Sequence, residues 1–294
     1  MREKLLQLQK EIYRFETTDF DTQEERDYFV GYSPKVCFFP VGDFFDISFY
    51  GNGFDEAPDT KAEDFDYETN FAFCAFLDFI CKQENAEKLI SLTFDGADEG
   101  ANGTKEWNFS RIINSNVTFP NLKILKIQLT NLGDHNGNII GFDYEEGGMI
   151  AKLMEKMPNL ECLAIPSAPD KSFFEIEKHP LKQLIVQVGY DNQNFIENFA
   201  ESDNFYQLTT LDFADSIDVD NIPFVSFEAF EKLFKSKAFS TVKHFKLRNS
   251  ILSEKQLFEL QKLSNVQFLY IKAKGGKYVS HMMRDKNSNN IKLN

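Results

Sequence analysis

The sequence predicts an α/β fold: a solenoid, bent as a horseshoe or short arc, with a parallel sheet on the concave face, helices on the convex face and an α+β cap at the amino terminus. Three observations predict it. A six-residue segment with apolar residues spaced three and then two apart recurs seven times, stretches with apolar residues three or four apart lie between copies, and residues 1–87 lack the repeat.

The amino-terminal region opens with "MREKLLQLQKEIYRF", a short helix, followed by the strands "KVCFF" and "FFDISFY" and by "YETNFAFCAFLDFICKQENAEK", a helix with an apolar stripe. An uncovered first strand leaves a row of unpaired backbone donors and acceptors, so residues 1–87 are read as a cap fused to the first repeat.

The repeats are "LISLTF" from 89, "LKILKI" from 122, "LECLAI" from 160, "LKQLIV" from 181, "LTTLDF" from 208, "VKHFKL" from 242 and "VQFLYI" from 266. A helix would not place apolar residues two apart, and a plain strand would not place them three apart. The hybrid fits a short strand whose fourth and sixth positions enter the core, preceded by a first position that also turns inward. Parallel neighbours then require a crossover after every strand. The crossovers read as helices at 149–157, 194–205, 227–239 and 254–263; Ser253 with Gln256 forms a capping box, Ser226 is an N-cap, and Pro158 and Pro180 close units. The solenoid spans 88–280, with 281–294 a polar tail.

These segments resemble the leucine-rich-repeat family in its ribonuclease-inhibitor-like form, and in detail a group of uncharacterised bacterial leucine-rich-repeat proteins of similar length. The resemblance implies protein partners. The chain departs from the family at the ninth position, usually Asn or Cys, which here holds Ala97, Thr130, Ala168, Gly189, Ser216 and Ser250. Without an asparagine ladder, the turns need other partners for their backbone groups.

No apolar run reaches the roughly 18 residues of a membrane helix, and charges interrupt the amino terminus where a secretory signal would be apolar, so a soluble, cytoplasmic protein with no membrane contact is expected. Cys37, Cys74, Cys81 and Cys162 lack metal-type spacing and read as reduced thiols. Nucleophile elbows, phosphate loops, dinucleotide fingerprints and the paired-histidine zinc motif are absent, so neither an enzyme nor a cofactor is expected. His135 and His179 read as turn residues, and "DFDTQEERD" (19–27) and "DSIDVDN" (215–221) as solvated acidic loops lacking the pattern of a calcium loop. The insertions at 98–103 and 134–141 follow strands and emerge at one rim.

Net charge is −14, divided unevenly: residues 1–100 hold 9 Lys+Arg against 23 Asp+Glu, and residues 241–294 hold 11 against 3. The chain thus has an acidic head and a basic tail, and the outward positions of the repeats are small and weakly polar in the middle and pair aromatics with cations at the carboxy-terminal end. They include Lys126, Gln183 and Asp212, then His244, Lys246 and Arg248, and in the last copy Phe268, Tyr270 and Lys272. Aromatic and arginine anchors dominate interface energies. The expected function is a noncatalytic scaffold whose concave face binds a protein partner with an acidic surface. Nucleic-acid binding at the basic end is the alternative, opposed by the net charge, and an enzyme seated in the amino-terminal region is another.

Overall fold

The computed structural model describes residues 1–16, 22–23, 34–53, 67–98, 103–131, 133–142, 144–215, 224–274 and 277–283; for 67–70 and 272–283 the description is of the backbone. Most of the acidic strings 19–27 and 215–221, part of 98–103 and residues 284–294 lie outside it.

The helix, two strands and helix expected at the amino terminus are present. Helix α1 (Arg2–Glu16) precedes β1 (Lys35–Val41) and β2 (Phe44–Tyr50), an antiparallel hairpin, and then α2 (Tyr67–Ile80) and the single turn α3 (Gln83–Ala86). Gly42, at φ +62° in the two-residue turn, allows the tight reversal that the right-handed strand twist requires. Pro40 lies on β1 at the sheet edge, where a missing N–H costs nothing, and Gln9 of α1 donates to the Val36 carbonyl of that strand at 2.5 Å.

Seven strands follow in parallel register: β3 (Leu89–Asp95), β5 (Ile124–Ile127), β7 (Cys162–Ile165), β8 (Gln183–Gln187), β9 (Thr210–Ala214), β10 (His244–Arg248) and β11 (Gln267–Lys274). With β1, β2 and β12 (Lys277–Met283) they make one ten-stranded sheet in chain order. The three-then-two spacing has the expected cause. Leu122 is buried ahead of β5, and Leu125 and Ile127 point to the same side from within it; Leu181, Leu184 and Val186 repeat the arrangement at β8. Each such side chain contributes roughly 2 kcal/mol by leaving water.

The crossovers carry α5 (Met149–Lys156), α6 (Phe195–Glu201), α7 (Phe227–Lys235) and α8 (Glu254–Leu263) after the short α4 (Ser110–Asn114). Ser226 accepts from the Ala229 amide, and Ser253 and Gln256 form the expected capping box. The 21-residue step between the third and fourth copies leaves room only for a 3-10 turn, Lys171–Phe174. Phenylalanines fill the space between layers: Phe195 of α6 stacks on Phe213 of β9 at 5.3 Å, and Phe234 of α7 meets Phe245 and Phe268.

Side chains tie neighbouring units where the sequence has its punctuation. Asn121 donates to the Glu87 carbonyl and Asn159 to the Pro120 carbonyl, so each "PN" pair hooks its unit to the one before. Glu161 bridges Lys123 and Lys182 at 3.0 and 2.6 Å across three successive strand starts. The turns that lack an asparagine ladder are satisfied by long side chains instead. Gln128 reaches the Gly96 carbonyl, Lys105 the Ala97 carbonyl and Tyr270 the Ser250 carbonyl.

Two features differ from the sequence-based expectation. The insertions at 98–103 and 134–141 contribute to a second sheet rather than plain loops: β4 (Gly103–Trp107) pairs in parallel with β6 (Asn136–Ile140). Alternation drives it, since Lys105 and Trp107 turn inward while Thr104 and Glu106 remain half-exposed. Trp107 Nε1 donates to the Asn138 side-chain oxygen. The polar tail also begins later, because β12 carries residues 281–283 into antiparallel pairing with β11.

Candidate functional site

One face of the sheet carries the leucine and phenylalanine core, and the opposite face carries the residues between. In register across β5, β7, β8, β9, β10 and β11, one row of that face runs Ile124, Cys162, Gln183, Thr210, His244, Gln267, and the next Lys126, Ala164, Ile185, Asp212, Lys246, Leu269. Lys126, Gln183, His244 and Gln267 are exposed. His244 Nδ1 lies 2.9 Å from the Gln267 side-chain oxygen.

The last strand corrects the expected patch. Phe268 and Tyr270 were read as outward anchors, but Phe268 is 1% and Tyr270 6% exposed, opposite Phe245 and Leu247 on the core side. The register is one residue away from the expected one, which turns every side chain over. Gln267, Leu269 and Ile271 take the outward positions. The side chain of Lys272 lies outside the described residues.

The cations beside them are paired. Lys246 Nζ lies 2.6 Å from Asp212 Oδ2, and Arg248 Nε donates to Asp212 Oδ1 at 2.7 Å, with both Asp212 and Arg248 buried. Arg248 Nη2 has no hydrogen-bond partner. Lys246 and Arg248, both expected to present positive charge, thus share one carboxylate. Cys162, in the outward row beside Ile124 and Gln183, is half-buried, and burial raises its pKa against the opposing pull of Lys126.

Toward the carboxy-terminal ends of the strands this face closes over. Gln187 is buried because its side chain exchanges hydrogen bonds with the Thr130 amide and carbonyl, both at 2.7 Å, drawing the segment after β5 across β7. Asp98 gathers the amides of His135 and Asn136, and its Oδ2 lies 2.8 Å from His135 Nδ1, which accounts for His135 as a turn residue. His179, likewise at a turn, is buried with Nε2 3.0 Å from the Met157 carbonyl, and burial lowers its pKa.

Asp215, directly after β9, is fully buried. Burial raises its pKa to about 7, against the Val225 amide and Ser250 hydroxyl that favour its charged form, with Glu197 adding repulsion. Asp215 Oδ2 and Glu197 Oε2 are both buried without a partner. Sequence reading placed Asp215 in a solvated loop; its position immediately after an apolar strand was the available signal for burial.

Among the described residues, no group of three or more His, Cys, Asp or Glu is placed to hold a metal ion, and no helix is long and apolar enough to cross a membrane. No protein-family model, curated protein or solved structure matches the chain.

Proposed function

We propose that the chain is a noncatalytic interaction scaffold of the leucine-rich-repeat kind, a solenoid over 88–280 capped by 1–87, which works in the cytoplasm and docks a protein partner on the outward rows of its sheet. The observation that carries this reading is the run of seven parallel strands in chain order, whose outward rows remain solvated at Lys126, Gln183, His244 and Gln267. Parallel sheets are ordinarily buried on both faces, so rows left solvated on one of them leave room for an occupant. Lys126 and His244 suit an acidic surface, with Leu269 and Ile271 supplying apolar contact at one end. The pairing of Lys246 and Arg248 with Asp212 leaves too little free positive charge for a polyanion, which disfavours nucleic acid.

The test compares affinity capture by the wild-type chain with capture by the Lys126→Glu/Gln183→Glu/His244→Glu variant. A partner recovered by the first should fall at least about tenfold with the second, since reversed charges on a docking face cost several kcal/mol. Equal recovery of every captured protein would overturn the reading.

A further inference from the structure

At the carboxy-terminal ends of the strands, β4 presents Thr104 and Glu106 side by side on its outer face. Tyr190, three residues beyond the end of β8, hydrogen-bonds through its hydroxyl to Thr104. Tyr144 donates its backbone N–H to Glu106 Oε1 at 2.5 Å. The two rings meet at a 62° angle with centroids 6.0 Å apart, and they are 66% and 38% exposed. The backbone fixes this wedge. Tyr144 sits at φ +67°, and so does Gly189, where an added Cβ would come within 3.1 Å of the Pro166 carbonyl.

Glu106 forms no ion pair with any cation among the described residues. The segments that supply the tyrosines are short of positive charge: no Lys or Arg occurs between Lys126 and Lys152, or between Lys182 and Lys232, whereas Glu145 and Asp191 flank the tyrosines directly. Two exposed aromatic rings beside a carboxylate that lacks a cationic partner are complementary to a cation, because ring quadrupole and carboxylate both attract positive charge. A neutral apolar guest would cover the Glu106 charge without supplying a counter-charge, at a desolvation penalty.

We infer that Tyr144, Tyr190 and Glu106 form a site for an alkylammonium group, the lysine side chain of a protein partner. An ammonium donates N–H to Glu106, which a quaternary nitrogen cannot. A wedge with two walls leaves much of its guest in water, so affinity must come from a larger molecule bearing the group. The site goes beyond the sheet-face reading and shares no residue with it.

Nuclear magnetic resonance of the full chain, following the Tyr144 and Tyr190 ring signals, tests the site with three probes: Nα-acetyl-lysine methylamide, its neutral norleucine counterpart and tetramethylammonium. The lysine probe should give saturable shifts with a dissociation constant on the order of millimolar, weakened about tenfold by Glu106→Gln or Tyr190→Ala and retained in Tyr190→Phe. Lys126→Glu, which probes the sheet face, should leave this titration unchanged. Glu106→Gln keeps the acceptor oxygen for the Tyr144 amide, so an unaltered thermal transition separates lost binding from lost fold. Equal shifts from the norleucine probe, no saturable shift from lysine, or saturation by tetramethylammonium alone would overturn the inference.

Discussion

Arg248 donates its Nε hydrogen to Asp212 Oδ1 across two neighbouring parallel strands, and both side chains are almost wholly shielded from water. The pair turns what the sequence offers as a cationic anchor into part of the framework. Asp212→Ala strands a buried guanidinium, and urea denaturation should register a loss of about 3 kcal/mol. Asp212→Ala/Arg248→Met should recover more than half of that loss; a double variant no better than the single one would show that the ion pair is not what Asp212 supports.

Asp215 should make stability depend on pH. Its ordinary value of 3.8 is raised by burial to about 7, so between those values the folded chain holds a proton that the unfolded chain has released. The contribution of this group is full below pH 3.8, falls as pH rises by about 1.4 kcal/mol per unit at most, and levels off above 7. Asp215→Asn should therefore gain on the wild type between pH 5 and pH 8 in melting experiments. A constant difference across that range would refute the assignment.

The register of β11 predicts opposite outcomes for adjacent residues. Phe268→Ala should cost about 3 to 5 kcal/mol by opening a cavity against Phe234 and Phe245. Gln267→Ala, on the outward side, should change stability by about 0.5 kcal/mol or less. Similar values for the two variants would mean that the strand pairs otherwise.

Gln187 holds the segment after β5 by two hydrogen bonds to one residue. Gln187→Leu leaves the Thr130 amide and carbonyl unpaired, at about 1 to 3 kcal/mol. Hydrogen exchange should quicken at Thr130 and through β6 while amides of β9 and β10 keep their protection.

The sheet was legible where binary pattern and spacing agree. "LKILKI" sets Lys126 between Leu125 and Ile127, so only one alternation buries that pair and leaves the lysine outside. "VQFLYI" is apolar at Phe268, Leu269, Tyr270 and Ile271 alike, so both alternations bury apolar residues and the pattern leaves register undecided. Pairing then decides it, with β10 on one side and β12 on the other. The second sheet was hidden because β4 and β6 are short and polar, and the alternation in "GTKEW" acquires meaning only once Trp107 has a core to enter. Of the expected docking residues, Lys126, Gln183 and His244 stand where spacing puts them, since their copies are unambiguous. The engagement of Lys246 and Arg248 depends on Asp212 lying in the adjacent strand, 34 and 36 residues away, which no local pattern reports.

Because the strands follow chain order, most of the sheet resembles a zipper whose teeth grip only the next tooth. The hydrogen bonds from Thr130 to Gln187 and from Thr104 to Tyr190 break that rule, joining residues 57 and 86 positions apart. They weld the stretch from β4 to β8 into one cooperative block, whereas β9 to β11 depend on nearest neighbours. Under mild denaturant the chain should fray from the carboxy-terminal strands inward, and refolding should start from the welded block and advance outward.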